Sequence, residues 1–497
     1  MERPVVSGGP LRLAESSEWV GYWWLPEEPE ERVPGTLRYD GDGNLALSLI
    51  GTFEDRVMSH PAPGRTVVHH GVRDSWDVVH GAAGNREITL LGCSPLRSRR
   101  TFLARVDSPD TQAIVVDAAL VGVHASDWDD AAFSAAEMSV EDMVSWAGTS
   151  ALEWGLGCDG DRLDGTGSIS VSPVEEKSVV VDDGTTFCLS HRYTAPFMDW
   201  RKGEAIGRIR DSVSMRVVPE SPFSLKSVLE KVSLVQYLVA LATHQAAGVL
   251  WVRLEPADGE IGSLSGRSRS RCGVDLLYAP FAVGAHDSKA VDARRILFSC
   301  DSLPFEEILP RWCEVRERLL PAINMIMGMR YGSTSFVENR LLAAVGAAEV
   351  LHRRLGVGER PFPDKEFKEV RKALLEQAPE EYRERFKSAF RNDLTLRDRL
   401  QQLAGRLDHG VVGLLVPDAG HWAGRAVKAR NDLAHEGSTP KHSLEELVVV
   451  VDVTTVIVLL NVLNELGLPV ERQREIVQYH PDLRGAAERA RRCLAPS

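Results

Sequence analysis

Short alternating runs of apolar and polar residues dominate the first 218 residues of the chain. The run LALSLI at 45–50 alternates with a period of two, which is the pattern of a strand with one buried face. An Asp/Gly-rich turn at 40–44 joins it to the strand-like run at 35–39, so this stretch predicts a β-hairpin. Further runs of the same kind lie at 66–69, 87–91, 101–106, 113–120, 169–171, 178–181 and 206–218. We therefore predict a β-rich domain over residues 1–218, either a sandwich or a partly closed barrel.

From residue 219 the pattern mixes helical and strand periods, and we predict an α/β lobe over 219–329 as the second part of the N-terminal half. Its expected elements are a helix at 224–244, strands at 248–254 and 291–298, an exposed loop at 262–271, and one or two helices at 305–329.

From residue 330 the spacing of apolar residues is helical, and capping residues mark the helix ends. The expected helices lie at 336–355, 364–377, 379–391, 395–407, from 418 to the Gly at 437, and from 443 to the Gly at 467. Ser335 with Glu338, and Ser443 with Glu446, have the spacing of a capping box. The valine-rich run at 448–458 has strand propensity, but its capped segment is far longer than a strand, which favours a buried helix. We predict an all-α bundle over 330–470 and a tail over 471–497 with a short solvated helix.

The β-rich half and the helical bundle together predict an α+β multidomain protein, and the length of 497 residues agrees with two or three domains. A composition of 43% hydrophobic and 26% charged residues describes a globular protein with ample core material. The net charge of −13 argues against a general nucleic-acid coat protein. Residues 330–497 hold 26 Lys and Arg against 24 Asp and Glu, a net of +2, whereas the rest of the chain holds 32 against 47, a net of −15. The helical part can therefore approach a polyanion more easily than the acidic N-terminal half.

Membrane, disulfide and zinc-ribbon proteins do not fit this sequence. Residues 1–10 contain no apolar core of a signal peptide, and the longest apolar run, 448–460, contains Asp452 and is shorter than the roughly 20 residues of a membrane span. The seven cysteines are scattered and form no CxxC pair. We expect a cytoplasmic protein with no metal and no cofactor.

The sequence RNDLAH, from Arg430 to His435, places an arginine, an asparagine and a histidine together at the end of a predicted helix. An apolar stripe begins before the motif and runs into it: Ala426, Ala429 and Leu433 follow Trp422 at spacings of four, seven and eleven residues. On an ideal helix Arg430 and His435 differ by about 140°, so they do not share a face, whereas Asn431 and His435 do. A site that uses both Arg430 and His435 therefore needs either a helix that loosens near Gly437 or a second copy of the motif across a twofold axis.

The Arg430 to His435 motif resembles the Arg-(four to six residues)-His signature of HEPN-domain ribonucleases, and the predicted helix order over about 330–467 resembles that fold. The N-terminal sequences GYWWLP at 21–26 and VPGTL at 33–37 further resemble the opening of ApeA-type anti-phage proteins, which join a distinct N-terminal domain to a HEPN domain. The resemblance implies a β-rich half followed by an all-α HEPN-like bundle.

The resemblance also implies metal-independent RNA cleavage, in which the ribose 2′-OH attacks the adjacent phosphate and leaves a cyclic phosphate and a 5′-OH end. His435 would transfer protons near neutral pH as general base or acid, Arg430 would hold the phosphate oxygens, and Asn431 would orient either His435 or the phosphate. Glu349 and Asp432 are expected as supporting residues, with Glu349 placed to hydrogen-bond to Arg430. The expected partners are an RNA substrate, a second copy of the chain in a homodimer or higher oligomer, and a phage-derived trigger.

Other interpretations remain open. Arg430 and His435 also suit the carbonyls at a helix C-terminus, so the helical domain can be a non-catalytic dimerisation or partner-binding module. The N-terminal half can sense infection or restrain the nuclease.

The N-terminal half also contains a cluster of four histidines and a cysteine. Their spacing matches no zinc site, and they are interpreted as ordinary strand and loop residues: His60, His69, His70, His80 and Cys93. The aromatic run at Trp19 and 22–24 is interpreted as core and interdomain packing.

Overall fold

The computed structural model describes residues 9–53, 56–62, 65–70, 75–99, 108–257, 273–332, 336–358 and 361–495, with the backbone alone described at 56–62 and 65–70. The strand predicted at 101–106, the loop predicted at 262–271 and the capping residue Ser335 lie outside these ranges. The chain forms two compact units. The first contains residues 1–243, 247–291 and 299–301, and the second contains residues 244–246, 292–298 and 302–497.

The first unit is built on strands and two helices. The strands are β1 (Ser17–Trp24), β2 (Val33–Tyr39), β3 (Leu45–Ile50), β4 (Arg56–Ala62), β5 (Arg65–His70), β6 (Trp76–Ala83), β7 (Arg86–Arg99), β8 (Thr111–Val121), β9 (Phe133–Val140), β10 (Leu152–Asp159), β11 (Arg162–Val171), β12 (Lys177–Val180), β13 (Thr186–Tyr193), β14 (Phe197–Trp200), β15 (Ala205–Arg208), β16 (Asp211–Val218), β17 (Val249–Pro256) and β18 (Val274–Tyr278). The helices are α1 (Met143–Ala147) and α2 (Leu225–Thr243).

Six of the strands close into a barrel in the order β8-β3-β2-β1-β6-β7, with β7 pairing back to β8. The predicted hairpin is confirmed as β2 and β3, which pair antiparallel with Tyr39 opposite Leu45. The alternation seen in the sequence points Leu37 and Leu47 inward, and both are fully buried. Trp23 is also fully buried, and a side-chain carbon at Gly81 would lie 2.3 Å from its ring, so the indole requires glycine there.

The same sheet continues beyond the barrel in the order β18-β17-β9-β16-β13-β12. Strand β17 confirms the strand predicted at 248–254, and β18 was not predicted; both are members of this sheet. The prediction of a strand at 291–298 is wrong. Residues Ala293–Arg295 form a short 3-10 turn because the Asp292 side chain accepts a hydrogen bond from the Arg294 N–H. The Arg472 guanidinium donates hydrogen bonds to the carbonyl oxygens of residues 296 and 297, so these carbonyl groups do not need a neighbouring strand as their partner.

The second unit is helical, as predicted. Its helices are α3 (Phe305–Tyr331), α4 (Val337–Leu355), α5 (Asp364–Gln377), α6 (Glu380–Ala389), α7 (Leu396–Gly405), α8 (His409–Leu415), α9 (Ala419–Glu436), α10 (Leu444–Glu465), α11 (Val470–Tyr479) and α12 (Pro481–Cys493). Thr395 and Asp398 form a complete capping box at the start of α7. The valine-rich segment is confirmed as a helix, α10, and it packs against α3, α4 and α12.

Helix α10 is, within the described part of the chain, the one helix that is long and apolar enough to cross a membrane, and 78% of its most apolar window is buried inside the unit. It is therefore the central helix of the bundle. The tail after residue 470 was expected to hold a short solvated helix, and that expectation is wrong. Leu483, Ala486 and Ala490 of α12 are buried, because they form an apolar face against the bundle.

Candidate active site

Helix α9 carries the Arg–His motif and is fixed along its apolar stripe. It begins at Asp418, whose side chain accepts a hydrogen bond from the His421 N–H at 2.9 Å. Trp422, Ala426 and Ala429 are fully buried, and the Trp422 indole N–H donates to the Thr454 hydroxyl of α10 at 3.3 Å. The small alanines let α9 pack closely against α4 and α7. The buried stripe therefore sets the rotation of α9 and leaves Arg430 at its edge.

The C-terminal end of α9 is regular through Glu436. Gly437 adopts a left-handed conformation with φ of 68°, and its N–H donates to the Leu433 carbonyl at 3.0 Å. Because the helix does not loosen before His435, the offset of about 140° between Arg430 and His435 persists within one chain. Of the two arrangements that the sequence left open, convergence within a loosened helix end is not found.

The motif side chains are accessible. Arg430 is half-buried, and its Nη1 donates to the Asn431 side-chain oxygen at 3.1 Å. Among the described residues no carboxylate forms an ion pair with Arg430, so its charge is available to a ligand. His435 is exposed on the last turn of α9. The arrangement therefore presents a cation and an exposed imidazole at one end of the helix.

The two supporting residues differ in their surroundings. Asp432 follows Asn431, and its Oδ2 is buried without a hydrogen-bond partner in the described part of the chain. Glu349 accepts from Arg353 Nη2 at 2.6 Å, one turn away on the same helix. The expected hydrogen bond from the Arg430 guanidinium to the Glu349 carboxylate is not formed, because Arg353, four residues after Glu349, binds that carboxylate.

Three residues that the sequence did not suggest as site residues fix the segment after the motif. The Arg425 guanidinium binds the Glu446 carboxylate and donates from Nη2 to the Lys441 carbonyl at 2.8 Å. A His442 ring nitrogen lies 3.3 Å from the Arg425 carbonyl oxygen. Burial, followed by the nearby Arg425 charge, lowers the pKa of His442. In the sequence, this arrangement was indicated by Glu446, a residue of the predicted capping box. The Glu446 N–H does donate to the Ser443 hydroxyl at 3.1 Å, but the Glu446 carboxylate binds Arg425.

One group of side chains in the second unit has the composition of a metal site: His244, His480 and Asp482, whose ligand atoms lie within 4.8 Å of one another. These atoms already have partners. His480 accepts from the Asp482 N–H at 3.2 Å and donates to the Arg295 carbonyl at 3.1 Å, while the Asp482 carboxylate binds Arg295 at 3.0 Å. The Arg330 guanidinium contacts His244. Two neighbouring guanidinium groups disfavour a metal cation, and we interpret the cluster as a buried polar network.

The N-terminal histidine cluster is partly described. A ring nitrogen of His80 lies 3.0 Å from the Ala125 carbonyl oxygen, and its ring stacks on His124 with centroids 4.4 Å apart. Cys93 is fully buried, and burial raises its pKa. The side chains of the other three histidines lie outside the described residues. Of the aromatic run, Trp23 and Trp24 are buried and Tyr22 is exposed.

The helical unit with an Arg–Asn–His motif at the end of α9 contains a HEPN domain, since residues 342–472 match the family model described as Apea-like HEPN. Residues 18–312 match the model described as ApeA N-terminal domain 1. Because this match covers more than half of the chain, the chain belongs to the ApeA family, in which a β-rich N-terminal domain precedes a HEPN domain of an anti-phage defence nuclease family. No curated protein and no solved structure shows significant similarity to it.

Proposed function

We propose that the chain is a metal-independent endoribonuclease of anti-phage defence. The observation that supports this most strongly is the state of the motif. Arg430 lies at the solvent edge of α9 with no carboxylate partner among the described residues, and His435, five residues further along the same helix, is exposed. The family membership agrees with nuclease chemistry.

The chemistry needs proton transfer and charge neutralisation. In the proposed reaction the RNA 2′-oxygen forms a bond to the adjacent phosphorus, and the bond from phosphorus to the 5′-oxygen breaks. An imidazole accepts the proton of the 2′-OH, and an acid returns a proton to the leaving 5′-oxygen, which leaves a 2′,3′-cyclic phosphate and a 5′-OH end. Arg430 would bind the non-bridging oxygens and stabilise the added negative charge of the transition state. Asn431, bonded to Arg430, would hold that guanidinium in place.

Because α9 is a regular helix up to its end, the proposed active site includes a second copy of the chain. Arg430 and His435 of one α9 point about 140° apart, so one helix cannot aim both at a single phosphate. A twofold axis beside the end of α9 would bring Arg430 of one protomer to His435 of its partner, and it would create two equivalent sites. The active unit is therefore proposed to be a homodimer.

The purified chain tests this function directly. Wild type should cut RNA in the presence of EDTA, and His435→Ala should abolish cutting, with a fall of at least about a hundredfold expected for a general acid or base. His421→Ala is the matched control, because His421 is an exposed histidine on the same helix outside the motif. Undiminished cleavage by His435→Ala would contradict the assignment of His435.

The alternative is a non-catalytic module that dimerises or binds a partner. It is favoured by the position of His435 in the last helical turn before a left-handed Gly437, where a cation also suits the helix dipole. Induced expression separates the two functions. A triggered nuclease should inhibit growth, and folded Arg430→Ala should not, whereas equal effects of both chains would favour the module.

For the N-terminal half we propose sensing of a phage-derived trigger or restraint of the nuclease. Restraint is suggested by charge, because residues 1–329 carry a net charge of −15, which disfavours the approach of RNA.

A further inference from the structure

Helices α5 and α6 form a helical hairpin that has no buried residue in either helix. The hairpin separates α4 from α7 along the chain, and its two helices contact each other. Two arginines connect them. The Arg371 guanidinium donates to the Lys387 carbonyl oxygen, and the Arg383 Nε donates to the Leu375 carbonyl oxygen at 3.1 Å. The hairpin is therefore an ordered exposed structure rather than part of the bundle core.

Cations line one side of this hairpin. A groove of about 380 Å³ between the helices is bordered by five basic side chains, one carboxylate and one leucine: Lys368, Arg371, Lys372, Arg383, Lys387, Glu376 and Leu375. Residues 364–389 hold seven Lys and Arg and seven Asp and Glu, so the hairpin as a whole is neutral. The groove is positive because the charges are segregated onto different faces.

The lysines of the groove are available to a ligand. Lys368 forms no ion pair with any described residue, and Lys372 and Lys387 have only exposed partners, at 3.8 Å from Glu376 and 3.3 Å from Glu384. Exposed ion pairs of this kind are weak and exchange readily for a stronger anion. The two arginines, by contrast, are used to join the helices.

Exposed aromatic rings run beside the cations on α6. Tyr382 and Phe386 are 49% and 40% exposed, and each directly precedes a groove residue, Arg383 and Lys387. The Tyr382 and Phe386 rings have centroids 6.4 Å apart, and Phe386 stacks on Phe390 at 5.9 Å. A cationic groove flanked by exposed rings is the combination that binds single-stranded nucleic acid, because lysines bind phosphates while bases stack on the rings.

We propose that the α5–α6 groove binds the backbone of single-stranded RNA and so guides the substrate of the proposed ribonuclease, an inference that rests on the proposed function. The groove contains none of the motif residues, since all of its lining residues belong to α5 and α6. We therefore expect it to contact nucleotides other than the two that flank the cleaved bond.

The test measures binding without cleavage. In a full-length His435→Ala background, the affinity for a fluorescent oligouridylate of about 30 nucleotides should fall about tenfold in Lys368→Glu/Lys372→Glu, and the slope of log affinity against log salt should decrease by about 1.4. The control, Lys365→Glu/Arg385→Glu, makes the same charge change on the same hairpin outside the groove and should alter affinity less than about twofold. Tyr382→Leu should also weaken binding, since it removes the ring but keeps an apolar side chain.

Each outcome decides between the two proposals. If the groove variant and the control variant bind RNA with equal affinity, the proposal that the groove binds RNA is wrong. Cleavage of RNA by wild type would then show that the ribonuclease proposal stands without the groove. If the groove pair changes the molecular mass in solution and leaves RNA affinity intact, the hairpin contacts protein and the proposal is wrong. If wild type neither binds nor cuts RNA, both proposals fail.

Discussion

Arg430 lies at the edge of the buried stripe of α9, with Asn431 as its hydrogen-bond partner and no carboxylate beside it among the described residues. An arginine in this setting binds a phosphate through two parallel N–H groups, which lysine cannot reproduce. Arg430→Lys should therefore lower the rate of RNA cleavage by about a hundredfold while the fold is retained. Lys428→Ala, on the exposed side of the same helix, is the control. A rate for Arg430→Lys near that of wild type would show that positive charge alone is sufficient.

At the residue scale His480 predicts a pH dependence of stability. It is fully enclosed in its polar network, and burial lowers its pKa to about 4, although the nearby Asp482 opposes the shift. The unfolded chain, with a histidine pKa near 6.5, binds more protons between pH 6.5 and 4 than the folded chain does. Stability from this group is therefore complete above about pH 6.5 and is lost towards pH 4, by about 3 kcal/mol at most.

The measurement compares thermal unfolding of wild type and His480→Asn across this pH range. Asparagine keeps a side-chain acceptor at the start of α12 but does not titrate. The variant should be less stable at pH 7, and its unfolding temperature should fall less steeply between pH 6.5 and 4. If the unfolding temperatures of the two proteins fell in parallel with pH, the pH dependence would come from other groups, such as His244, which is also buried and has a lowered pKa.

At the scale of the element, the end of α9 depends on backbone conformation. A side-chain carbon at Gly437 would meet nothing within 4 Å, but the left-handed φ of 68° is unfavourable for an L residue. Gly437→Ala should therefore destabilise the helical unit by about 1 kcal/mol, and Gly437→Asn by less, because asparagine tolerates this conformation. Chemical denaturation checks the order. Equal stability of all three chains would show that the helix can end without a left-handed residue.

The helices of the bundle were predictable because their signals are local. Thr395 with Asp398, Asp418 and Ser443 cap the helices that they mark in the sequence, and the length of the capped segment identified α10 despite its strand-like valines. The sequence did not predict two kinds of contact: one in which a nearer residue takes the expected partner, and one made by a residue distant in the sequence. Glu349 binds Arg353 rather than Arg430, and residues 296–297 are bonded by Arg472 rather than by a strand.

The barrel shows the same limit. Alternation predicted β2 and β3 and their hairpin, yet closure depends on β7 pairing with both β6 and β8, and no pattern within one strand specifies that. Likewise the sequence placed Arg430, Asn431 and His435 near a helix end, but the direction of each side chain required the rotation of α9 fixed by Trp422, Ala426 and Ala429.

For the whole molecule, restraint by the acidic N-terminal half predicts a gain of activity on truncation. The cut should fall before Asp292, because residues 292–298 belong to the helical unit and Arg472 binds the carbonyl oxygens of residues 296 and 297. A chain beginning at Asp292 should inhibit growth more strongly than the full chain if the N-terminal half restrains the nuclease. Unchanged or lower toxicity of a folded truncation would favour sensing or folding support instead.

The central claim is that Arg430 of one protomer and His435 of its partner form one active site, and a mixed dimer tests it most directly. Arg430→Ala and His435→Ala are co-expressed with different tags, and the heterodimer is isolated through both tags in turn. Each homodimer should be inactive, whereas the heterodimer contains one intact site and should cut RNA with about half the activity of wild type. A heterodimer as inactive as the two homodimers would contradict the shared site.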